Sequence, residues 1–109
     1  MPDAPAPAFS IETAWLVQAT YAPDAAETRT PFRARHLERM ARLKAVGVVI
    51  EVGGFADVSG SVILLRVRTE AEALEICRQD VYMQNGVWVE LRAKPFGRLR
   101  LDDEAAPAG

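Results

Sequence analysis

Two side chains of this sequence stand out as able to move a proton or attack an electrophile near neutral pH: its one histidine, His36, and its one cysteine, Cys77. Arg33 and Arg35 come just before His36, and Arg29 lies a little further upstream. An imidazole held by a carboxylate can act as a general base near pH 7. An arginine can clamp a carboxylate or a phenolate. Tyr21, Asp24, Asp57, Ser59, Asp80 and Tyr82 are the other groups from which such a site could be built. Each has a plainer reading: a lone histidine satisfied within the core, arginines on a solvated face, Asp57 and Ser59 in an ordinary hairpin loop. Cys77 falls on a buried helical stripe and reads as core. One histidine and one cysteine cannot assemble the usual zinc ligand sets. The chain carries neither a P-loop nor a Gly-x-Gly-x-x-Gly pattern, so neither a metal nor an organic cofactor is expected.

Elements must bring these groups together. Residues 13–21 alternate as a strand, with Trp15, Val17, Ala19 and Tyr21 on one face and Leu16 on the other. After a loop with Pro23 and Asp24, Thr30 is the expected cap of a helix and Pro31 its first residue. Phe32, His36, Met40 and Leu43 recur at helical spacing, flanked by Leu37 and Ala41, while Arg35, Glu38, Arg39 and Arg42 face water. Gly47 ends this helix. Strands over 48–53 and 61–67 follow, joined by a glycine-bounded loop. Thr69 and Glu72 match a capping box, which starts a second helix at Glu70 with Ala73, Leu74, Ile76 and Cys77 inward. In a last strand over 87–93, Val87, Val89, Leu91 and Ala93 alternate against Trp88, Glu90 and Arg92. Trp15 and Trp88 are expected in the core or in dimer packing.

The order βαββαβ, with right-handed crossovers, predicts an α+β ferredoxin-like fold: one antiparallel sheet with two helices on one face. In that topology the start of the first helix, the end of the second and the loop after the second strand share one end of the sheet. Tyr21, Asp24, Arg33, His36, Asp57, Ser59, Asp80 and Tyr82 therefore gather there, and Asp80 is the carboxylate best placed to hold His36. The helix dipole and partial burial at that position favour a neutral ring, whereas they make Arg33 and Arg35 costly by roughly 0.3–1 kcal/mol each. Val62, Ile63, Leu64 and Leu65 are consecutive, so both faces of the third strand are apolar. Two helices cover only one face. A homodimer packed sheet to sheet is the expected cover, with higher oligomers open.

Composition sets the remaining bounds. The chain has 109 residues and a net charge of −2, with 50% apolar and 26% charged residues, which fits one domain. Residues 1–12 and 102–109 read as a disordered leader and tail around a domain at 13–101. Between residues 13 and 101 lie 13 basic and 10 acidic residues, a +3 balance suited to a small anionic ligand rather than nucleic acid. One cysteine rules out an intrachain disulfide. No apolar run approaches the roughly 20 residues of a membrane helix. The N-terminus lacks a secretory h-region, so a cytoplasmic protein with no membrane partner is expected.

Several of these residues resemble one family. Tyr21-Ala22-Pro23-Asp24 is similar to the opening Y-A-x-D of the YCII-related proteins. Arg33-Ala34-Arg35-His36-Leu37 fits their R-x-x-H-L, Gly53 their glycine after the second strand, and Gly60-Ser61 their G-S before the third. Asp80-Val81-Tyr82 stands where they have D-P-Y, followed by Gly86-Val87 and Lys94-Pro95-Phe96. The resemblance covers about residues 13–100 and implies a dimeric α/β barrel with a candidate active site at His36 and Asp80. Some members look like lyases, among them a dehydrochlorinase acting on a chlorinated hydroxyquinol. Val81 replaces the proline of D-P-Y and Gly54 another usual proline, so a looser turn after Asp80 is expected.

Together these readings predict a small-molecule enzyme of lyase or isomerase type acting on an anionic or phenolic substrate. His36 and Asp80 form the catalytic pair, and Arg33, Tyr21, Asp24, Ser59 and Tyr82 bind the substrate. The alternative is a non-catalytic dimeric module whose pocket only recognises a small acid.

Overall fold

The computed structural model describes residues 5–102. The outer parts of the expected leader and tail, residues 1–4 and 103–109, lie outside the described residues. The elements run β1 (Phe9–Tyr21), α1 (Ala25–Thr28), a 3-10 turn (Thr30–Phe32), α2 (Arg33–Ala45), β2 (Val49–Gly54), β3 (Gly60–Leu65), α3 (Glu70–Arg78), α4 (Val81–Gln84) and β4 (Trp88–Leu101). The strands form one sheet in the order β2-β3-β1-β4, every neighbouring pair antiparallel. With the helices on one face, this is the ferredoxin-like arrangement. Val17, Ala19, Ile63, Leu65, Val49 and Trp88 from the sheet bury against Met40, Ala73, Cys77 and Tyr82 from the helical layer.

Local rules explain much of this. Thr69 caps α3, accepting from the Glu72 amide at 3.1 Å and donating to its carboxylate at 3.0 Å. α2 ends in a Schellman motif: Val48 N–H meets Leu43 C=O at 2.9 Å and Gly47 N–H meets Lys44 C=O at 3.1 Å. Gly47 has φ 85°, which a side chain would oppose.

Four expectations are corrected. Thr30 makes no side-chain capping bond, because α1 and the 3-10 turn deliver the chain already helical. Arg29 precedes that turn at φ −70°, ψ −23°, and α2 begins only at Arg33. Leu37 and Ala41 face outward, while Arg39, expected in water, is half-buried. Both long strands also outrun their expected limits: β1 and β4 pair from Phe9 opposite Leu101 to Tyr21 opposite Trp88. Residues 9–12, assigned to the leader, are therefore sheet. Glu12 explains why: its carboxylate takes two bonds from Arg66, at 2.7 and 3.2 Å, and one from Arg98 at 3.3 Å. Pro95 does not stop β4 because this is an edge strand, where a missing amide donor costs little. Last, the alternation expected over 87–93 breaks. The register jumps from Thr20–Glu90 to Tyr21–Trp88, so Val89 is left over and Trp88 turns into the core.

On the third strand Ile63 and Leu65 are fully buried under the helices, and Val62 and Leu64 lie half-buried on the opposite face beside Leu16.

Candidate active site

His36 sits one turn into α2, and Asp80 ends the segment after α3; 44 residues separate them in sequence. His36 Nδ1 and Asp80 Oδ1 lie 2.8 Å apart. Asp80 is fully buried, and its position is fixed by its second role as the N-cap of α4: Oδ1 also accepts from the Tyr82 amide at 2.9 Å. That cap supplies the rigidity expected to be missing with Val81 in place of proline. Oδ2 accepts from Arg39 Nη1 at 3.1 Å, and Arg39 Nη2 donates to the Ile76 carbonyl at 2.8 Å. Burial pushes the Asp80 carboxyl up, but the bonds from His36, the Tyr82 amide and Arg39 outweigh it and hold it below the ordinary carboxylate value.

An ionised Asp80 only accepts, so His36 Nδ1 carries a proton, and the neutral form of the ring has its lone pair on Nε2. Nε2 has no protein partner among the described residues. Aromatic rings fix the plane of the imidazole. Tyr82 stacks on it with centroids 3.9 Å apart and planes 10° apart. Trp88 meets both rings edge to face, at 5.2 and 5.7 Å. Tyr21 packs on Tyr82 at 6.1 Å, and its hydroxyl accepts from Ser61 Oγ at 3.2 Å.

His36 opens onto a cleft of about 290 Å³. Its polar lining is Tyr21, Arg29, Arg33, Ser61 and Tyr82; its apolar lining includes Leu37, Met40, Val52, Phe55 and Val58. Gly53 and Gly54 form the wall on the β2 side. Val58 adopts φ 58°, strained for a β-branched residue, in the loop that lends the cleft Phe55, Ala56 and Val58. Burial raises the Tyr82 phenol, and Tyr21 adds to that, while Arg33 and Arg29 pull it back; the hydroxyl remains a donor at neutral pH. Burial, with help from the Asp80 charge, pushes the Cys77 thiol up to about 12, which keeps it out of nucleophilic chemistry. Among the described residues no three of His, Cys, Asp or Glu cluster to hold a metal ion.

The structure thus brings His36, Asp80, Arg33, Tyr21 and Tyr82 together. It does not bring Asp24 or Ser59 to the cleft lining. Asp24 is exposed at the start of α1, where its carbonyl receives the Glu27 and Thr28 amides at 3.0 Å. Ser59 is exposed and turned onto the Asp57 carboxylate, its amide at 3.0 Å and its hydroxyl at 2.5 Å. Three members were not assigned to the site from the sequence: Ser61, Arg39 and Arg29, the last noted only as lying upstream of Arg33. The inward face of Ser61 was legible, since it alternates with Ile63 and Leu65, but its partner Tyr21 was not. Arg39 follows His36 at i+3 and shares its face, but a charged type argued for solvent.

A protein-family model, the YCII-related domain, matches residues 13–97. No curated protein matches the chain. Among solved structures, the chain is similar to a 5-chloro-2-hydroxyhydroquinone dehydrochlorinase from Burkholderia phenoliruptrix, solved in complex with 2,5-dihydroxybenzoquinone. The two share 19% identity and a TM-score of 0.62, over 74% of this chain and 90% of that one.

Proposed function

The chain belongs to the YCII-related family, and from that membership and the geometry of the cleft we propose that it is a small-molecule enzyme of lyase or isomerase type. His36 Nε2 removes a proton from a phenolic hydroxyl or an enolisable carbon. The electron pair moves onto the substrate oxygen, where the Tyr82 hydroxyl or Arg33 holds the developing charge. An enolate's electron pair then forms a carbon–carbon double bond as a leaving anion departs from the next carbon. A phenolate instead first takes the proton back at the ring carbon that carries the leaving group, and loses the anion when a second, conjugated hydroxyl is deprotonated. Return of the proton alone gives the isomer. Asp80 keeps the imidazole in the Nδ1–H tautomer and stabilises the imidazolium that forms. The chemistry asks for no cofactor.

The observation that carries this reading is the 2.8 Å His36–Asp80 contact, with Arg39 on the other carboxylate oxygen and Nε2 left free. The dehydrochlorinase likeness supports the substrate class, a small hydroxylated ring. The same reading includes a cytoplasmic homodimer joined through the open sheet face.

The test is turnover of a panel of hydroxyquinols and enolisable acids. His36→Ala is expected to keep its fold and lose about 10²–10⁴-fold in rate. A variant that retains turnover on the substrate used by the wild type overturns the assignment.

A further inference from the structure

All the formal charge lining the cleft is positive. Arg29 and Arg33 line it, and no Asp or Glu among the described residues does; Asp80 lies behind the imidazole, fully buried and already bonded to His36, Arg39 and the Tyr82 amide. Neither Arg29 nor Arg33 forms an ion pair with any carboxylate among the described residues. The three arginines with the most structural work behave differently: Arg39 holds Asp80, and Arg66 and Arg98 hold Glu12. Two guanidinium ions on one small cleft repel each other, and Arg33 at the first residue of α2 also opposes the helix dipole. Arg29 gains at most the weak favourable end of the single-turn α1, which it C-caps, and Arg33 gains no partner from the fold among the described residues. An anion bound in the cleft would give both a partner, since a planar guanidinium fork matches a carboxylate.

We propose that Arg29 and Arg33 form a carboxylate subsite, so that the substrate is a single-ring or enolic acid bearing a permanent carboxylate besides the group His36 deprotonates. This rests on the reading of the cleft as the substrate pocket and narrows its substrate class. Both arginines act electrostatically on Tyr82, whose ring lies against His36, so the carboxylate end and the reacting end occupy one continuous cleft. A cleft of about 290 Å³ sits at the small end of ligand cavities and suits one substituted ring. The division of labour follows. The arginines take the charge the substrate brings, and the neutral Tyr82 hydroxyl is left for the charge that develops.

Calorimetric titration of the full chain with salicylate, phenol and inorganic phosphate tests the proposal without requiring turnover. Salicylate is expected to bind at least about tenfold more tightly than phenol, with an affinity that falls as salt rises. Arg29→Gln and Arg33→Gln each weaken salicylate about tenfold, several times more than they weaken phenol, while Arg29→Lys keeps most of the preference. The salicylate preference is read with His36 in place and the catalytic reading by turnover of the His36→Ala variant, so each can fail alone. Equal binding of salicylate and phenol, or glutamine variants with wild-type preference, overturns the proposal. Phosphate binding as tight as salicylate overturns the carboxylate assignment.

Discussion

Asp80 shows how one buried residue can serve two purposes without conflict. A fully desolvated carboxylate is costly unless every lone pair is used. Here the backbone uses one through a helix cap, His36 shares the same oxygen, and Arg39 takes the other. Structure and site are thus held by the same bonds. Removing Arg39 is expected to matter in two ways. Arg39→Met leaves a buried acceptor short of a donor and costs about 1–3 kcal/mol in urea unfolding. It also moves the acid limb of stability. Asp80 has its folded-state value below the unfolded one, so its stabilisation is complete above about pH 4 and is lost as pH falls through that lower value. Without Arg39 the folded value rises toward the unfolded one, and the acid midpoint of unfolding moves to higher pH. A midpoint unchanged from wild type contradicts this account. The His36–Asp80 pairing was legible because topology alone delivers both groups to one end of the sheet. Arg39 was not, because residue type argued for solvent while a carboxylate on another helix argued for burial.

Helix ends separate the two threonines that the sequence treated alike. Thr69 has the extended backbone a cap requires, φ −133° and ψ 155°, and bonds the Glu72 amide. Thr30 lies within a chain that is already helical on both sides and caps nothing. Thr69→Ala is therefore expected to cost about 1 kcal/mol, while Thr30→Ala stays within about 0.5 kcal/mol of wild type in the same denaturant titration. Equal costs would mean that Thr30 caps after all. Strand limits followed a similar logic. Alternation marked residues 13–21 of β1 correctly but broke in β4 at Val89, and the far ends of both strands depended on each other: residues 9–12 are strand only because 98–101 lie opposite. The leftover Val89 that turns Trp88 inward is equally a property of the pair, not of either strand. Gly60 is a case the sequence flagged for another reason. A Cβ there would come within 2.8 Å of the Ala19 carbonyl, so it marks close strand approach beside the cleft.

The described residues form an elongated body, 54 × 32 × 23 Å, because the β1–β4 ribbon runs on past the end of β3. That ribbon exposes Phe9, Ile11 and Leu99, each more than half accessible. Leu16, Val62 and Leu64 line a shallow apolar groove on the open sheet face, and Gly53, Gly54 and Phe55 belong both to that groove and to the cleft. The proposed homodimer covers this face, which would place a partner against the back of the cleft wall. Leu64→Glu puts a charge in the groove and is expected to halve the mass seen by sedimentation at micromolar concentration, with the far-UV spectrum unchanged. A wild-type chain that sediments as a monomer throughout that range removes the dimer from the reading.

Periodicity, capping residues and element order determined the fold class and the end of the sheet where the site lies, because these depend on short-range sterics and on the handedness of crossovers. They also delivered His36 and Asp80 to each other. The tertiary structure alone decided which neighbours complete the site: Arg39 behind the carboxylate, Ser61 rather than Ser59 at Tyr21, and Arg29 beside Arg33 on the cleft. A side chain's partner across 40 residues of sequence is chosen by helix rotation, strand register and a single bulge, and none of these leaves a mark on the local pattern.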